Sequence, residues 1–285
     1  MTLRDALSAA AAQLAGVSAT PRLDAELLAA FGLGISRDQL LLSGLEGSVP
    51  PDFAALVGRR LAHEPVAYII GERDFWTLSL KIGAGVLVPR PDSETLIEAA
   101  IKFFHDRPPA SILDLGTGSG ALLLAALSHW PEAKGVGVDR SSAALTIAQI
   151  NADACRLGNR TTFQSGDWGE GLDGLFDLIL CNPPYIKDDV QLPREVADYE
   201  PLDALYAGPD GLNDYRRLAL DIPRLLSALA AQPVFRVWRT PPPAPLPKAL
   251  CDRSRAIARG RRPRSRSGCR PAVPSCWKSC RARRP

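Results

Sequence analysis

Along residues 3–63 apolar positions recur at spacings of three and four, as in Leu3, Leu7, Ala10 and Leu14. Gly16, Thr20-Pro21, Gly32, Gly34 and Pro50-Pro51 punctuate the pattern. That spacing puts apolar side chains on one face of successive short helices and predicts a small helical bundle. Between Pro65 and Pro91 the pattern changes to β-branched and aromatic residues broken by glycine, AYIIGERDFWTLSLKIGAGVLVPR, which predicts a β-hairpin connector. A helix starting near Ser93 (SETLIEAAIKFF) runs to Asp106 and the Pro108-Pro109 break.

From Ser111 strand and helix patterns alternate. SILDL precedes the helical SGALLLAALSHW, and KGVGVD precedes SSAALTIAQINADACRLG. TTFQSG and a Gly-rich loop then lead to FDLILCN. This rhythm predicts a parallel sheet with right-handed crossovers. The strands are apolar nearly throughout, as both-face burial requires. The expected class is α/β with a nucleotide-type sheet.

The 285 residues are enough for one large domain or two modest ones with a sizeable core. Their net charge of +3 hides a break. Residues 231–285 hold 15 Lys and Arg against one acid, Asp252, while residues 1–230 hold the remaining 19 basic and 30 acidic residues; the nets are +14 and −11. No run of eighteen apolar residues occurs, so a membrane-spanning helix is not expected. In residues 1–16 Asp5 and Gln13 interrupt the Ala-rich stretch after Arg4, which favours an amphipathic helix over an export signal. Cys155 and Cys181 lack a CxxC or Cys/His partner and read as buried thiols in a reducing compartment, so the cytoplasm is expected.

The first strand of the sheet ends in Asp114 and Leu115, then Gly116, Thr117, Gly118, Ser119 and Gly120, and a helix begins at once. Glycines there permit a tight turn and a close approach of a ligand beneath the helix N-terminus. Asp139, at the end of the second strand, is placed to accept hydrogen bonds from ribose hydroxyls. Together they indicate an adenosine-bearing cofactor, with nicotinamide dinucleotides and S-adenosylmethionine both open at this point. A later strand, DLILC, runs into Asn182, Pro183, Pro184 and Tyr185. Two prolines stop the ladder and fix the local backbone at the sheet edge where ligands of open α/β folds bind. An Asn side-chain oxygen and a proline carbonyl both accept hydrogen bonds from an –NH₂ group, and a Tyr ring can stack on it. A planar amide or an exocyclic amine fits this set.

These segments resemble the cofactor motifs and NPPY motif of S-adenosylmethionine-dependent amino-group methyltransferases. The N-terminal helical region, GERDFW…VLVPRPDSE at 71–94, Gly166-Asp167-Trp168 and Gly208-Pro209-Asp210-Gly211-Leu212 further resemble the HemK family of protein-(glutamine-N5) methyltransferases, over roughly residues 1–230. The resemblance implies a Rossmann-like methyltransferase sheet whose substrate is a class-1 peptide chain release factor. It implies that Gly116, Thr117, Gly118, Ser119 and Gly120 surround the amino-acid part of the cofactor. Asp139 would hold the ribose and Trp168 would lie beside the adenine. Asn182 would touch cofactor and substrate, and Pro183, Pro184 and Tyr185 would position the glutamine. Pro89, Arg90 and Pro91 should lie near the same pocket. No His, Lys or Cys stands in the motif as a base, and His63, His105 and His129 lie in helical or linker contexts. Catalysis would rest on orientation: Asn182 and the Pro183 carbonyl hold the amide hydrogens and bring the nitrogen to about 3–3.5 Å from the methyl carbon, recovering roughly 7–11 kcal/mol. No metal is expected.

The implied organisation is a release-factor-binding helical domain over 1–64, a connector over 65–92, a methyltransferase domain over 93–230 and a basic tail over 231–285. After NPPY such a sheet should continue: a helix over 214–229 should lead into a Gly-Gly turn and an apolar strand. Residues 231–285 instead contain seven Leu, Ile, Val or Phe and ten Pro, a composition expected to be disordered. Three readings of this tail stand: a basic arm for ribosomal RNA, a metal site on Cys251, Cys269, Cys276 and Cys280, and a shift of reading frame near residues 227–232. The frame shift is favoured; it leaves the sheet without its last strands and puts activity in question. Nucleic acid is expected as a partner only if the tail is genuine, and the protein is expected to be a monomer. The competing functions are a nucleic-acid (adenine or guanine) amino methyltransferase and an inactive truncated product or RNA-binding pseudoenzyme.

Overall fold

The computed structural model of the protein describes residues 2–42 and 45–227. The tail over 231–285, with its four cysteines, and the sheet's expected last strands lie outside the described residues.

The chain opens with five helices: α1 (Leu3–Leu14), α2 (Pro21–Leu33), α3 (Arg37–Leu42), α4 (Phe53–Leu61) and α5 (Val66–Ile70). Thr2 starts α1 through a capping box: its hydroxyl accepts from the Asp5 amide at 3.2 Å, and the Asp5 carboxylate accepts from the Thr2 amide at 3.1 Å. Leu3, Leu7, Ala10 and Leu14 are all buried, with Leu28, Ala29, Phe53 and Val57 of the neighbouring helices. The helical bundle read from the spacing is present.

The hairpin is present too, β1 (Glu72–Phe75) against β2 (Leu78–Lys81), but it starts later than the composition suggests. Residues 66–70, rich in β-branched side chains, form helix α5. Pro65 fixes its start, and the Pro65 carbonyl accepts from Tyr68 and Ile69 at 2.9 and 3.0 Å. Gly71, at φ +78°, ends it. Ile69 is buried among the N-terminal helices and Ala67 against the second core, so packing on two sides overrides strand propensity.

The second half alternates as the sequence predicts: α6 (Glu94–Phe103), β3 (Ser111–Leu115), α7 (Ala121–His129), β4 (Lys134–Asp139), α8 (Ser142–Ala154), β5 (Thr161–Ser165), β6 (Leu178–Cys181), α9 (Arg194–Ala197) and α10 (Asn213–Leu225). The four strands pair in parallel in the order β5-β4-β3-β6. On β3, Ile112 points to the core that contains α7, whose seven residues Ala121 to Leu127 are all buried. Leu113 and Leu115 point to the opposite face, against Leu218, Ile222 and Leu225 of α10. Both faces are covered, which is why Ile112, Leu113 and Leu115 are all apolar; Asp114 is the buried exception.

Helix α10 ends at Leu225, four residues short of the sequence-based expectation. There the backbone leaves the helix to pair with Phe176, two residues before β6: Leu225 O accepts from the Phe176 amide at 2.8 Å and the Ser227 amide donates to Phe176 O at 2.9 Å. Among the described residues no helix is long and apolar enough to cross a membrane.

Candidate functional site

Strand register builds the site. Leu115 pairs with Val138 on one side and Cys181 on the other, and Asp139 pairs with Ser165. The residues that follow each strand therefore emerge at one sheet edge. Here the chain leaves β3 towards β4 while β6 lies on β3's other side, the crossover reversal at which open α/β sheets bind ligands. A cavity of about 240 Å³ opens at this edge.

Six sequence-predicted residues of the first group line it: Gly116, Thr117, Gly118, Ser119, Asp139 and Trp168. Asn182 and Pro184 line the same cavity. Gly120 does not: it caps α7 at φ +82°, one step behind the lining turn. Pro183 is buried behind the wall, and Tyr185 is 44% exposed and outside the lining. Of the Pro89, Arg90 and Pro91 stretch, Pro89 and Arg90 face the cavity.

The turn is held by its own backbone. The Gly116 and Thr117 amides both donate to Val138 O at 2.9 Å, and the Gly120 amide donates to Thr117 O at 2.8 Å. The Gly118 amide donates to Asp139 Oδ2 at 2.8 Å, while Asp139 Oδ1 accepts from the Ser141 amide at 2.9 Å. Four of the turn's five amides are thus spent internally, and a carboxylate stands where a phosphate would have to sit. This disfavours a dinucleotide pyrophosphate, which needs free amides at the helix N-terminus. The lining charges agree: Asp139, Asp167, Asp203 and Asp214 against Arg90 and Arg140. Arg140 pairs with Asp203, and Arg90 is taken by Glu200. An acidic, partly apolar cavity with a pinned carboxylate fits a cationic adenosyl cofactor, with Asp139's remaining lone pairs available to a ribose diol.

Trp168 closes the turn from above. Its backbone is left-handed, φ +55°, and its ring lies so close that a Cβ on Gly116 would come within 3.0 Å of it. The indole Nε1 donates to Asp214 Oδ1 at 3.0 Å, so the first turn of α10 fixes the ring. Beneath the turn Asp114 is 1% exposed; its Oδ2 accepts from the Thr117 hydroxyl at 2.7 Å and its Oδ1 has no partner. Burial pushes this carboxyl up to about 7, against the Thr117 hydroxyl and with the help of Asp139.

The Asn182 side chain makes no hydrogen bond within the described residues, leaving its amide available to a ligand. The segment after it is clamped: the Ile186 amide donates to Leu205 O at 3.0 Å and the Ala207 amide to Ile186 O at 2.8 Å. Cys181 and Cys155 are half-buried rather than buried, and burial raises both thiols, so neither is a ready nucleophile. His63, His105 and His129 do not line the cavity. Sequence reasoning missed Asp214 and the wall at Val86, Pro201, Asp203 and Ala204; Asp214 stands just past the Gly208–Leu212 segment, at a helix start where an acid is a recognisable cap-region signal.

Residues 5–71 match the PrmC N-terminal domain, and residues 107–238 match a methyltransferase domain. A release factor glutamine methyltransferase of Rhodospirillum rubrum is 45% identical over 220 residues, 75% of this chain and 67% of the relative. One from Caulobacter vibrioides is 41% identical over 234 residues, 79% of this chain and 81% of the relative. A solved S-adenosylmethionine-dependent methyltransferase from Geobacter sulfurreducens, in complex with S-adenosyl-L-homocysteine, is 29% identical, covering 32% of this chain and 36% of its own, with a TM-score of 0.28.

Proposed function

The chain belongs to the family of release factor glutamine methyltransferases, and on that premise we propose that it methylates the side-chain amide of the glutamine in the Gly-Gly-Gln motif of a class-1 release factor. The observation that carries the reading is the meeting of Asn182 and Pro184 with the turn at 116–119 and Asp139 on one cavity. S-adenosyl-L-methionine, when bound, supplies an electrophilic methyl group on a sulfonium. Gly116, Thr117, Gly118, Ser119 and Asp139 would hold it, with Trp168 against its flat base; the acidic lining supports this assignment.

Asn182 and the Pro183 carbonyl would accept the two amide hydrogens of the glutamine and orient its nitrogen, with Pro184 and Tyr185 shaping the approach. Orientation is the protein's main contribution, because an amide nitrogen is a weak nucleophile and no His, Lys or Cys lines the cavity. The nitrogen's proton passes to solvent once the new N–C bond makes it acidic. The match over residues 5–71 supports the helical region over 1–64 as the release-factor-binding part, the hairpin region over 65–92 as its connector, and 93–230 as the transfer domain. The same reading takes the protein as a cytoplasmic monomer.

The test is methyl incorporation from labelled cofactor into a purified class-1 release factor, its Gln→Ala variant in the Gly-Gly-Gln motif, DNA and RNA. Label on the first alone is expected. Equal label on the Gln→Ala variant, or label on nucleic acid, would replace this reading.

A further inference from the structure

Residues 194–204 are tied at one end to the N-terminal helices and at the other to the cavity. Glu195 Oε2 accepts from Arg60 Nη2 at 2.6 Å. Arg60, on α4, is only 4% exposed and also donates to Asp24 at 2.8 Å and to Val17 O and Glu64 O at 3.3 Å. The Tyr199 hydroxyl adds a bond to Ala62 O at 2.9 Å. One residue on, Glu200 is 5% exposed and accepts from the Val88 amide at 3.1 Å and from Arg90 Nη2 at 2.7 Å. Pro201, Asp203 and Ala204 then line the cavity beside Arg90.

Buried charges of this kind add little net stability, but leaving one unpaired is costly, so they restrict a segment to one position. Arg60, which grips the strap from α4 through Glu195, and Glu200, on the eleven-residue strap itself, are two such charges. We infer that Glu200, by holding the Val88 amide and Arg90, is a positioning residue that sets the Pro89-Arg90 wall of the cofactor cavity, and that Glu195, through Arg60, makes this setting depend on the N-terminal helices. The inference rests on the methyl-transfer reading for what the cavity holds, and not for the coupling itself.

The full chain is compared with Glu195→Gln, Glu200→Gln and the double variant. Glu195 is partly exposed and its replacement leaves Arg60 paired with Asp24, so this variant retains the fold. Hydrogen exchange of the Val88 amide, measured without cofactor, reads the wall; calorimetry with S-adenosyl-L-methionine reads the cavity. Glu195→Gln is expected to speed Val88 exchange about tenfold and to weaken cofactor affinity by a similar factor, with β3 amides exchanging as in the wild type. The double variant should be no worse than Glu200→Gln alone, since both act through one strap. Glu46→Gln, which breaks the exposed Arg4–Glu46 pair, should change neither readout. Unchanged Val88 exchange in Glu195→Gln, or acceleration shared equally by β3, overturns the coupling. A wild-type chain that binds no S-adenosyl-L-methionine overturns the methyl-transfer reading instead, and the Val88 result still decides the strap.

Discussion

The cavity has two walls built on different terms. The wall from the turn at 116–119 and Asp139 is local: its bonds run between adjacent strand ends, from Gly116 and Thr117 to Val138 and from Gly118 to Asp139. The wall from Val86, Pro89, Arg90, Trp168 and Asp214 is assembled across the chain: Glu200 reaches back to Val88 and Arg90, and Asp214 reaches back to Trp168. Each wall rests on a buried carboxylate, and the two are treated differently. Glu200 has both oxygens bonded, whereas Asp114 keeps one oxygen without a partner. The first wall is held by strand pairing, so its acid need not be satisfied; the second is held by its acid.

The largest effect expected is therefore at Asp114. Its folded-state pKa of about 7 lies above the ordinary 3.8. The native state then binds a proton that the unfolded chain releases, so this residue's stabilisation is fully present below about pH 4 and is lost as pH rises through about 7. The swing is on the order of 4 kcal/mol. Asp114→Asn should remove it, so that Tm of the variant minus Tm of the wild type is more positive at pH 8 than at pH 5. Glu26, where Arg22 and Arg37 outweigh burial, titrates in the opposite sense but cancels in the difference. A difference independent of pH would mean the turn satisfies Asp114 after all.

Next in size is Asn182→Ala. If the cavity's chemistry lies in orientation, turnover on a release factor should fall by about a hundredfold or more, with cofactor affinity changed much less. Near-wild-type turnover would remove the orientation mechanism. Asp139→Ala should give the reverse split: cofactor affinity falls by about tenfold or more through the lost charged acceptor, as read by calorimetry. Equal losses in both readouts for both variants would show that the cavity does not separate cofactor from acceptor.

The local wall was readable from its own residues; of the assembled one, Trp168, Pro89 and Arg90 were reached only through the family resemblance, and Asp214 and its support Glu200 not at all. Gly116, Gly118 and Gly120 sit at φ +70°, +55° and +82°, a demand that a single turn makes and glycine meets, and Asp139 follows directly from the strand pattern. Asn182 was readable because two prolines mark where β6 must stop. Glu200 and Asp214 carry no comparable mark: their partners lie 112 and 46 residues away, and only packing brings them together. Helix α5 was hidden for a related reason, since Ile69 and Ala67 are claimed by two cores at once. The end of α10 at Leu225 was hidden because its cause is a pairing with Phe176.

The smallest effect is also the one that joins the walls. Gly116→Ala and Gly118→Ala both force an L side chain into the left-handed region, at about 1–2 kcal/mol each. They differ in what the new methyl meets: nothing within 4 Å at Gly118, but the Trp168 ring at 3.0 Å at Gly116. Trp168 cannot simply turn aside while its indole is bonded to Asp214. Gly116→Ala should therefore cost more, by about 1 kcal/mol, and alter Trp168 fluorescence, while Gly118→Ala leaves it unchanged. In an Asp214→Ala background the ring is released and the excess at Gly116 should disappear. If the two alanines cost the same in the parent chain, Trp168 is not held, and the assembled wall is looser than its hydrogen bonds suggest.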